Sequence, residues 1–414
     1  MQSRWNDSDA QRFTDAARTA GQDPELGLRV YSSRIIGSDP DLVLHGGGNT
    51  SLKTEGADGQ PIMHVKGSGW DLDTIEAPGL PAVRMAPLLE ARAGHRLSDP
   101  AMVALLRTSL LDAAAPNPSV EALLHAFLPY RFVDHTHATA VLALADQPDM
   151  RTTVQEIYGK RLAFVPYVMP GFDLSVEGAR IHDENPGCEG LWLENHGIFT
   201  FADTARKSYE LMIEFVSMAE QHLARSGVAL GGPEETDAQA DPAWEALLRK
   251  VLARPGSPFE TSLALDFRST PAIRALAGHP DVHDILGRGT VTPDHVIRLK
   301  PWPLIVAPGV SETGLDAALD AYARRYQAYF ERHAPQADEP KTMLDPYPRL
   351  ILVEGQGVFG LGANAKAARI AGDLAEQASR TILAAEGFGR FTPIGEADLF
   401  DMEYWSLEQA KLGK

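Results

Sequence analysis

Cysteine is almost absent from this sequence, in which Cys188 is the single residue of that type among 414. One cysteine excludes an intramolecular disulfide and any zinc site built from several thiolates. Long apolar runs are missing as well, because no stretch approaches the roughly 20 apolar residues that a membrane helix needs. The first residues, Met1 to Thr14, are polar and lack the apolar segment of a signal peptide. We therefore expect a cytoplasmic protein that does not bind a membrane.

Positive charge is also scarce. The chain has 38 lysines and arginines against 56 aspartates and glutamates, which gives a formal net charge of −18. Such a surface repels nucleic acids and anionic membranes on average, so we expect neither as a partner. A small anion can still be bound by backbone N–H groups or by a few placed cations. The composition, with 44% hydrophobic residues, is that of a globular protein, and the length favours more than one domain.

Short strands and helices follow one another along the chain, which predicts an α/β fold. Two short helices extend to about Gly37, and strand-like runs with glycine turns come after them. Apolar residues at Val120, Leu123 and Phe127 have helical spacing. The predicted strands are Leu42–Leu44, Ser51–Thr54, Ile62–Val65, Phe132–Leu144 and Leu191–Phe201, and the predicted later helices are Ser119–Leu128 and Ala205–Ser226.

A glycine-rich and acidic segment divides the sequence into two halves. Gly227–Asp241 contains Gly-Gly-Pro with several acids and amides, and it predicts a linker between a first domain at 1–228 and a second α/β domain at 242–414. The segment Leu191–Ala202 has an echo 160 positions later, in Ile351–Gly362. We therefore expect the second domain to be a degenerate repeat of the first.

The same offset of 160 positions places Asp294-His295 over Asp134-His135. Where the first half has His137 and His196, this alignment gives the second half Ile297 and Gln356. The repeat is therefore expected to lack a metal site and to serve structure or assembly.

His135-Thr-His137 lies in an apolar, alternating stretch. On a strand, the side chains at i and i+2 point to one face, so both imidazoles can reach one ion. Asn195-His196-Gly197, at a turn between two strand-like runs, offers a third imidazole. Three histidines leave a coordination position open, which is typical of catalytic zinc, although other divalent metals also accept imidazole. The alternative is that these are ordinary histidines, one of the pair buried and one exposed.

Glu121 is the candidate acid/base. The pattern places it just inside the helix Ser119–Leu128 with Ser119 as the N-cap, where the helix dipole favours a carboxylate. Such a group suits proton abstraction beside a carbonyl whose oxygen a metal holds. The alternative is an acid that only stabilises the first helical turn. His125 lies four residues later on the same face and is either a partner of the site or an ordinary histidine.

Two glycine-containing loops predict an anion site. Gly46–Ser51 (GGGNTS) accepts positive φ, so its successive N–H groups can converge on an anion. Lys66–Gly69 (KGSG) follows the predicted strand Ile62–Val65. The two loops emerge at the same end of a hairpin if Ser51–Thr54 and Ile62–Val65 pair. Neither loop has the spacing of a P-loop or a dinucleotide fingerprint, so a nucleotide is not indicated. The candidate phosphate-binding residues are Gly48, Asn49, Lys66, Gly67, Ser68 and Ser119.

Taken in order, the motifs HGGGNTS, KGSG, PSVE, HTH and ENHG resemble the class II aldolase/adducin family. The likeness is closest to the aldolase portion of the bifunctional rhamnulose-1-phosphate aldolase/alcohol dehydrogenases. It covers nearly the whole chain through Thr292–Lys300, Gly355–Gly362 and Phe400–Glu408. The resemblance implies a mainly antiparallel central sheet with helices on both faces. It also implies a homo-oligomer, such as a tetramer, with sites near subunit interfaces.

For the site, the resemblance implies that His135, His137 and His196 hold zinc and that Glu121 is the acid/base. It implies that the substrate phosphate is surrounded by Asn49, Gly67, Ser68 and Ser119. The expected activity is that of a zinc-dependent aldehyde-lyase. Its substrate would be a ketose 1-phosphate, rhamnulose 1-phosphate by this resemblance, and its products dihydroxyacetone phosphate and a hydroxyaldehyde.

Two departures from the family pattern matter. Simple sugar-phosphate aldolases carry a second Ser or Thr directly before the glutamate, where this chain has Val120, so we expect one phosphate contact fewer. The bifunctional enzymes continue into a dinucleotide-binding dehydrogenase, which does not follow here, so we expect oxidation to be absent or supplied by another protein. The alternatives on the same site are a sugar-phosphate epimerase or dehydratase and an aldolase for unphosphorylated hydroxyketones. An adducin-like binding module without catalysis is the alternative of another class.

Overall fold

The computed structural model describes residues 1–233, 239–337 and 339–405. The chain divides into two compact units, with the boundary between Gly227 and Val228. This boundary falls at the start of the segment that we predict as a linker. Residues 234–238 of that segment and residues 406–408 of the closing motif lie outside the described residues.

The first unit contains the sequence from Met1 to Gly227. Its helices are α1 (Asp7–Thr19), α2 (Pro24–Gly37), α3 (Met85–Ala93), α4 (Asp99–Ser109), α5 (Ala122–Phe127), α6 (Thr139–Ala145), α7 (Arg151–Tyr158), α8 (Phe172–Glu184) and α9 (Ala205–Arg225). Its strands are β1 (Asn49–Glu55), β2 (Pro61–Val65), β3 (Ala82–Arg84), β4 (Phe132–Thr136), β5 (Leu162–Val165), β6 (Gly190–Leu193) and β7 (Gly197–Ala202). Short 3₁₀ turns lie at Leu72–Thr74 and Ala77–Gly79. The N-terminal helices and the long helix after β7 are as the sequence predicts.

The strands of this unit form a seven-stranded sheet in the order β3-β2-β1-β4-β7-β6-β5. Its neighbouring strands are antiparallel except for β5 and β6, which run parallel. Helices α5 and α8 pack on one face, around a core that includes Leu124, Leu174 and Phe199. Helix α9 covers the other face, where Met212 accepts a hydrogen bond from Thr136. The predicted mixed α/β fold, with a mainly antiparallel sheet flanked by helices, is confirmed.

Strand β4 lies near the middle of the sheet and presents different chemistry on its two faces. Val133 and His135 point to the α5 side, and Asp134 and Thr136 point to the α9 side, as period-two alternation requires. Asp134 is ion-paired with Arg29 of α2 at 2.7 Å, and both side chains have no exposed surface. Burial lowers the pKa of Arg29, and the adjacent Asp134 carboxylate acts against that shift.

The strand predicted at Phe132–Leu144 is wrong beyond Thr136, because Thr139–Ala145 is helix α6. Every residue of α6 is buried, so the sequence shows no amphipathic period there, and its alanines and leucines favour a helix. The strand predicted at Leu42–Leu44 is also wrong. The N–H groups of Leu42 and Val43 both donate to the carbonyl of Asp39, so the segment is a turn rather than a ladder partner.

The second unit begins at Val228. Its helices are α10 (Pro242–Leu252), α11 (Pro271–Ala277), α12 (Val282–Gly287), α13 (His295–Leu299), α14 (Glu312–His333), α15 (Ala365–Phe388) and α16 (Glu396–Glu403), with a 3₁₀ turn at Ala334–Gln336. Its strands are β8 (Ala264–Arg268), β9 (Leu304–Val306), β10 (Leu350–Val353) and β11 (Gly357–Gly362), in the sheet order β8-β11-β10-β9. The core between this sheet and α10 and α14 includes Leu248, Leu319 and Phe359.

The echo of Leu191–Ala202 is a β-hairpin in both units. Gly190–Leu193 pairs with Gly197–Ala202, and Leu350–Val353 pairs with Gly357–Gly362, each antiparallel. The second predicted match, of Asp294-His295 with Asp134-His135, is wrong. His295 begins helix α13, whereas His135 lies in a strand, so a shared dipeptide at one offset does not mark an equivalent position.

Among the described residues, no helix is both long enough and apolar enough to span a lipid bilayer.

The buried pair Arg29–Asp134 generates a stability prediction. Replacing Asp134 with Asn leaves the Arg29 charge buried without a counter-ion, so we expect a loss of about 3–5 kcal/mol in the free energy of unfolding. Urea unfolding of the full chain measures this loss as a lower transition midpoint. The control is Asp9→Asn, which removes an exposed pair with Arg12 and should change the free energy by about 0.5 kcal/mol or less. Equal midpoints for Asp134→Asn and Asp9→Asn would contradict the prediction.

Candidate metal centre

Three histidines meet where strand β4 ends beside the β6–β7 hairpin. His135 lies in β4, His137 follows the last residue of that strand, and His196 lies in the hairpin turn. The residues on either side of His196 suit this turn. Asn195 has a φ of 52°, which asparagine tolerates, and a side chain at Gly197 would clash, because its Cβ would lie 2.4 Å from the carbonyl oxygen of Thr136. The Asn-His-Gly sequence therefore allows the turn to approach the end of β4 closely.

The imidazole nitrogens of this cluster lie close enough to share one ion. One ring nitrogen from each of His135, His137 and His196 lies within 4.8 Å of the others, and the Nε2 atoms of His135 and His137 are 3.0 Å apart. All three residues are buried. The structure thus brings together the three residues that the sequence predicts as metal ligands.

The protonation of His135 supports a cation between these rings. Its Nδ1 lies 3.0 Å from the carbonyl oxygen of Ile198, and an oxygen of this kind can only accept, so Nδ1 carries the proton. The Nε2 atom of His135, which faces Nε2 of His137, is then the nitrogen that this ring would offer to an ion. A backbone carbonyl that fixes the tautomer of a histidine is a common feature of metal sites. The donor set fits Zn²⁺ and other divalent ions that accept imidazole.

Glu121 faces the same point. Its Oε2 lies 3.5 Å from Nε2 of His135, and its Oε1 lies 3.6 Å from Nε2 of His196. The side chain is 6% exposed. Oε2 accepts a hydrogen bond of 2.7 Å from the amide of Asn49, whereas Oε1 has no hydrogen-bond donor among the described residues. One oxygen of this carboxylate is therefore anchored, and the other is directed at the histidines.

The helix that we predict at Ser119–Leu128 starts later than expected. Helix α5 begins at Ala122, so Glu121 precedes the helix instead of lying inside it, and Ser119 is not its N-cap. Ser119 forms a turn, in which its hydroxyl accepts the N–H of Glu121 and its carbonyl accepts the N–H of Ala122. This turn is held against the loop after β2, because the N–H of Ser119 donates to the carbonyl of Lys66 at 2.9 Å. The turn aims Glu121 towards the three histidines.

Asn49 and His125 continue the polar contacts behind Glu121. Besides Glu121, the Asn49 amide reaches the hydroxyl of Ser119 at 3.1 Å, and its Oδ1 lies 2.5 Å from Nε2 of His125. The other ring nitrogen of His125 lies 2.8 Å from the hydroxyl of Ser51. Burial lowers the pKa of His125 well below its usual value, and the positive charge of Lys53 adds to this effect. His125 is therefore neutral at physiological pH.

The two glycine loops come together as predicted, through the side chain of Lys66. Its ammonium donates to the carbonyl of Gly46 at 2.8 Å, and Lys66 is 4% exposed. Gly48 lies against β4, because its φ is 59° and a Cβ there would be 2.5 Å from the carbonyl oxygen of His135. Glycine is needed at this position for the loop to reach the site.

The second loop is held by backbone hydrogen bonds. The N–H of Gly67 donates to Gly79, and that of Ser68 donates to Asn117, so these two groups are engaged within the protein. The N–H of Ser119 donates to the carbonyl of Lys66, which places Ser119 beside the loop. The backbone N–H groups of Gly67 and Ser68 are therefore used within the protein, and the place of Gly67 beside a phosphate stays a prediction. The side chain of Ser68 is half-buried, and the role predicted for it stays a prediction.

Two groups beside the site did not stand out in the sequence. Ser51 contacts His125, and the carbonyl of Ile198 fixes the His135 ring. A backbone carbonyl has no residue-type signal, and Ser51 could have been found only from strand alternation, which places it on the same face of β1 as Asn49.

Two family models match the chain in sequence. Residues 30–223 match the class II aldolase and adducin N-terminal domain, and residues 239–412 match the second domain of class II aldolases. The chain is 29% identical over 418 aligned positions to the uncharacterized oxidoreductase YuxG of Bacillus subtilis (strain 168). That alignment covers 96% of this chain and 60% of the relative, so the chain spans less than two thirds of the relative's length.

Solved structures with a related fold cover about half of the chain. The N-terminal class II aldolase domain of a protein from Thermoplasma acidophilum is 39% identical, with a TM-score of 0.46, over 54% of this chain and 99% of that one. The L-fuculose-1-phosphate aldolase of Thermus thermophilus is 18% identical, with a TM-score of 0.33, over 48% of this chain and 94% of that one. The sequence matches decide the family: the chain carries the N-terminal domain of the class II aldolase/adducin family, followed by the second domain of class II aldolases.

Proposed function

We propose that the protein is a zinc-dependent aldolase that cleaves a ketose 1-phosphate, rhamnulose 1-phosphate in the first instance, into dihydroxyacetone phosphate and a hydroxyaldehyde. One observation carries the proposal: a buried carboxylate oxygen, Oε1 of Glu121, faces three imidazoles and has no donor among the described residues. An acid/base beside a three-histidine cluster is the arrangement that proton transfer next to a polarised carbonyl requires.

In this reaction the C4 hydroxyl loses its proton and becomes the aldehyde as the C3–C4 bond breaks. The electron pair of that bond passes to C3 and is delocalised onto the C2 carbonyl. The proton of the C4 hydroxyl passes by way of solvent water to Oε1 of Glu121, which delivers it to C3 and so completes dihydroxyacetone phosphate; in the reverse direction Oε1 removes it. The anchoring of Oε2 by Asn49 keeps the carboxylate from rotating, so the same oxygen is presented in each cycle.

His135, His137 and His196 would hold the divalent ion, which we propose to be Zn²⁺. The ion supplies Lewis-acid stabilisation for the negative charge that develops on substrate oxygen. The chain contributes the fixed tautomer of His135 and the dry surroundings of the cluster, since these side chains are almost fully buried. In such surroundings, charges interact more strongly than in water.

The substrate phosphate is proposed to lie near Gly48, Asn49, Lys66, Gly67, Ser68 and Ser119. Lys66 supplies the positive charge, and the Ser68 and Ser119 hydroxyls supply side-chain donors. Val120 offers none, and this favours a second candidate: an aldolase for unphosphorylated hydroxyketones at the same site. We also propose that the protein forms a homo-oligomer, as the family resemblance implies.

Other uses of the same groups are epimerisation or dehydration of a sugar phosphate, since both need an acid/base beside a polarised carbonyl. A binding module without catalysis would have no use for a buried acid/base directed at three imidazoles. The name of the longer relative refers to oxidation, and that activity is no part of this proposal.

The test of the proposal is a cleavage assay on L-rhamnulose 1-phosphate, in which release of dihydroxyacetone phosphate is followed with metal-stripped protein before and after zinc is restored. We expect zinc-dependent release, and we expect none from His196→Ala at the same zinc concentration, because that variant loses one of three ligands. Replacing His182, which lies outside the cluster, with Ala is the control and should not change turnover. Cleavage of the unphosphorylated ketose alone would favour the second candidate. Release that is independent of metal would contradict the proposal.

Glu121→Gln tests the acid/base separately from the metal. Glutamine retains the shape and a hydrogen bond to Asn49 but cannot transfer the proton, so we expect bound zinc per chain to be unchanged while kcat falls by at least about 100-fold. Zinc analysis and the same cleavage assay measure the two effects. Unchanged kcat would remove Glu121 from the mechanism.

A further inference from the structure

We infer that His125 is a positioning residue for the proposed reaction: it fixes the orientation of the Asn49 amide, which in turn anchors Oε2 of Glu121. The inference rests on the proposed function. The backbone N–H of His125 donates to the carbonyl of Glu121 at 3.3 Å, but the hydrogen bonds of its ring go to Asn49 and Ser51, so the ring is linked to the Glu121 carboxylate through Asn49. Its Nε2 lies 2.5 Å from Oδ1 of Asn49.

The direction of each hydrogen bond between Ser51, His125, Asn49 and Glu121 follows from which atoms can only accept. The NH₂ group of Asn49 donates to Oε2 of Glu121 at 2.7 Å and also lies 3.1 Å from the hydroxyl of Ser119. The carbonyl Oδ1 then faces His125 and only accepts, so Nε2 of His125 carries the proton. With Nε2 protonated in a neutral ring, Nδ1 accepts from the hydroxyl of Ser51. Protons therefore point along one direction, from Ser51 to His125, to Asn49 and to Glu121.

Removing His125 leaves the amide of Asn49 without the contact that holds its oxygen. A rotated amide would place Oδ1 2.7 Å from Oε2 of Glu121, where two acceptors repel each other, and Glu121 would turn away from its anchored position. The ring of His125 has no exposed surface and packs edge-on against Phe199, with ring centres 5.3 Å apart. Water is therefore a poor substitute for this donor.

Four variants test the inference. His125→Leu removes the donor, and we expect kcat to fall by at least about tenfold with zinc content unchanged. His125→Gln can place an amide N–H near the position of Nε2, and we expect it to retain most of kcat. Asn49→Ala should also lower kcat, and the double variant His125→Leu/Asn49→Ala should lose no more than Asn49→Ala alone, because the two residues act in series. His64→Leu, which alters a histidine on β2 away from the cluster, is the matched control and should keep wild-type kcat.

The double variant separates positioning from general damage to the fold. Losses that multiply in the double variant, or wild-type kcat in His125→Leu, would overturn the inference. If the wild-type protein cleaves no substrate, the proposed function fails, and a neutron structure of the zinc-loaded protein then decides about His125. Deuterium on Nε2 with the Asn49 amide directed at Glu121 supports the inference, and deuterium on Nδ1 alone contradicts it.

A second inference rests on different observations, in the sheet of the second unit. The structure assigns Phe267, Ser269 and Gln356 to the positions that His135, His137 and His196 occupy in the first unit. The four strands β8-β11-β10-β9 repeat the order and directions of β4-β7-β6-β5: an antiparallel hairpin with an antiparallel strand on one side and a parallel strand on the other.

Strand registers fix the residue equivalences. Thr136 pairs with Ile198 in the first unit, and Arg268 pairs with Val358, which is 160 positions after Ile198. Counting back along β8 from Arg268, Phe267 stands where β4 has His135, and Asp266 stands where β4 has Asp134.

Hydrogen bonds around the turns agree with this alignment. The N–H of His196 donates to Leu193, and that of Gln356 donates to Val353. Three further bonds of the first unit have a counterpart in the second. The N–H of Glu194 donates to Val165 as that of Glu354 donates to Val306, and the N–H of Asn195 donates to Ala145 as that of Gly355 donates to Ala277. The helix caps also correspond, because the N–H of Lys207 donates to the Thr204 side chain and that of Ala367 donates to the Asn364 side chain. Bonds of one pattern at four places indicate a repeat of the whole substructure.

The ring of Phe267 takes the place of the His135 ring. His135 stacks on Phe199 with ring centres 4.2 Å apart, and Phe267 packs on Phe359 with centres 4.7 Å apart. In both units the adjacent glycine of the turn leaves room for the ring, because a Cβ at Gly357 would lie 2.8 Å from the Phe267 ring. The second unit thus keeps the backbone of a three-histidine site with phenylalanine, serine and glutamine in it.

Restoring the histidines tests the alignment. We expect Phe267→His/Ser269→His/Gln356→His to bind one more zinc ion per chain than the parent, measured by elemental analysis after dialysis. The matched control is Ile297→His/Gln356→His, which with native His295 completes the three histidines of the simple 160-residue alignment; we expect no gain from it. A gain in the control only, or no gain in either folded variant, would overturn the inference. The comparison is made within the second unit, so it is decided even if the parent binds no zinc.

Discussion

The antiparallel register of β4 with β7 is the constraint on which the site depends. It sets Thr136 opposite Ile198, so that the carbonyl of Ile198 accepts the Nδ1 proton of His135 and the turn with His196 folds over the end of β4. A slip of one residue would turn His135 to the other face, where Asp134 and its partner Arg29 now lie. The buried ion pair makes such a slip costly, because it would move the Asp134 carboxylate to the apolar face of the sheet and leave the Arg29 charge buried without a counter-ion. The Arg29–Asp134 pair on one face of β4 thereby stabilises the register that places His135 on the other face.

Much of this arrangement could be predicted from the sequence because it is local. Alternation along a strand brings His135 and His137 to one side, and Asn-His-Gly marks a tight turn. The mixed α/β fold follows from the order of elements. Local patterns misplace α6, whose residues are all buried, and they place Glu121 inside a helix that begins one residue later. The turn at Ser119 is held by Lys66, which is distant in sequence, so the pattern of residues 119–128 alone does not contain it.

The hydrogen bonds that link Glu121 to Asn49 and His125 could not be predicted from the spacing of residues in the sequence, because they join residues that are distant along the chain. The i+4 relation of Glu121 and His125 predicts a direct contact on a helix face, yet Asn49, more than 70 positions away, lies between them. The orientation of an amide is set by its partners, and the partners become known only when β1 pairs with β4. A sequence can suggest which residues take part, whereas the direction of each hydrogen bond follows from the fold.

The β10–β11 hairpin of the second unit shows which interactions stabilise the equivalent β6–β7 hairpin of the first unit. Its turn keeps the hydrogen bonds of the first unit with Gln356 in the place of His196 and Phe267 in the place of His135. The fold of this substructure therefore does not need imidazoles or an ion, since strand pairing and ring packing against Phe359 are enough. By the same argument, the strand pairing of the first unit does not require the three histidines, which favours a role for them in chemistry. A buried carboxylate whose Oε1 has no hydrogen-bond donor among the described residues costs stability, which is the physical reason to expect a cation beside it.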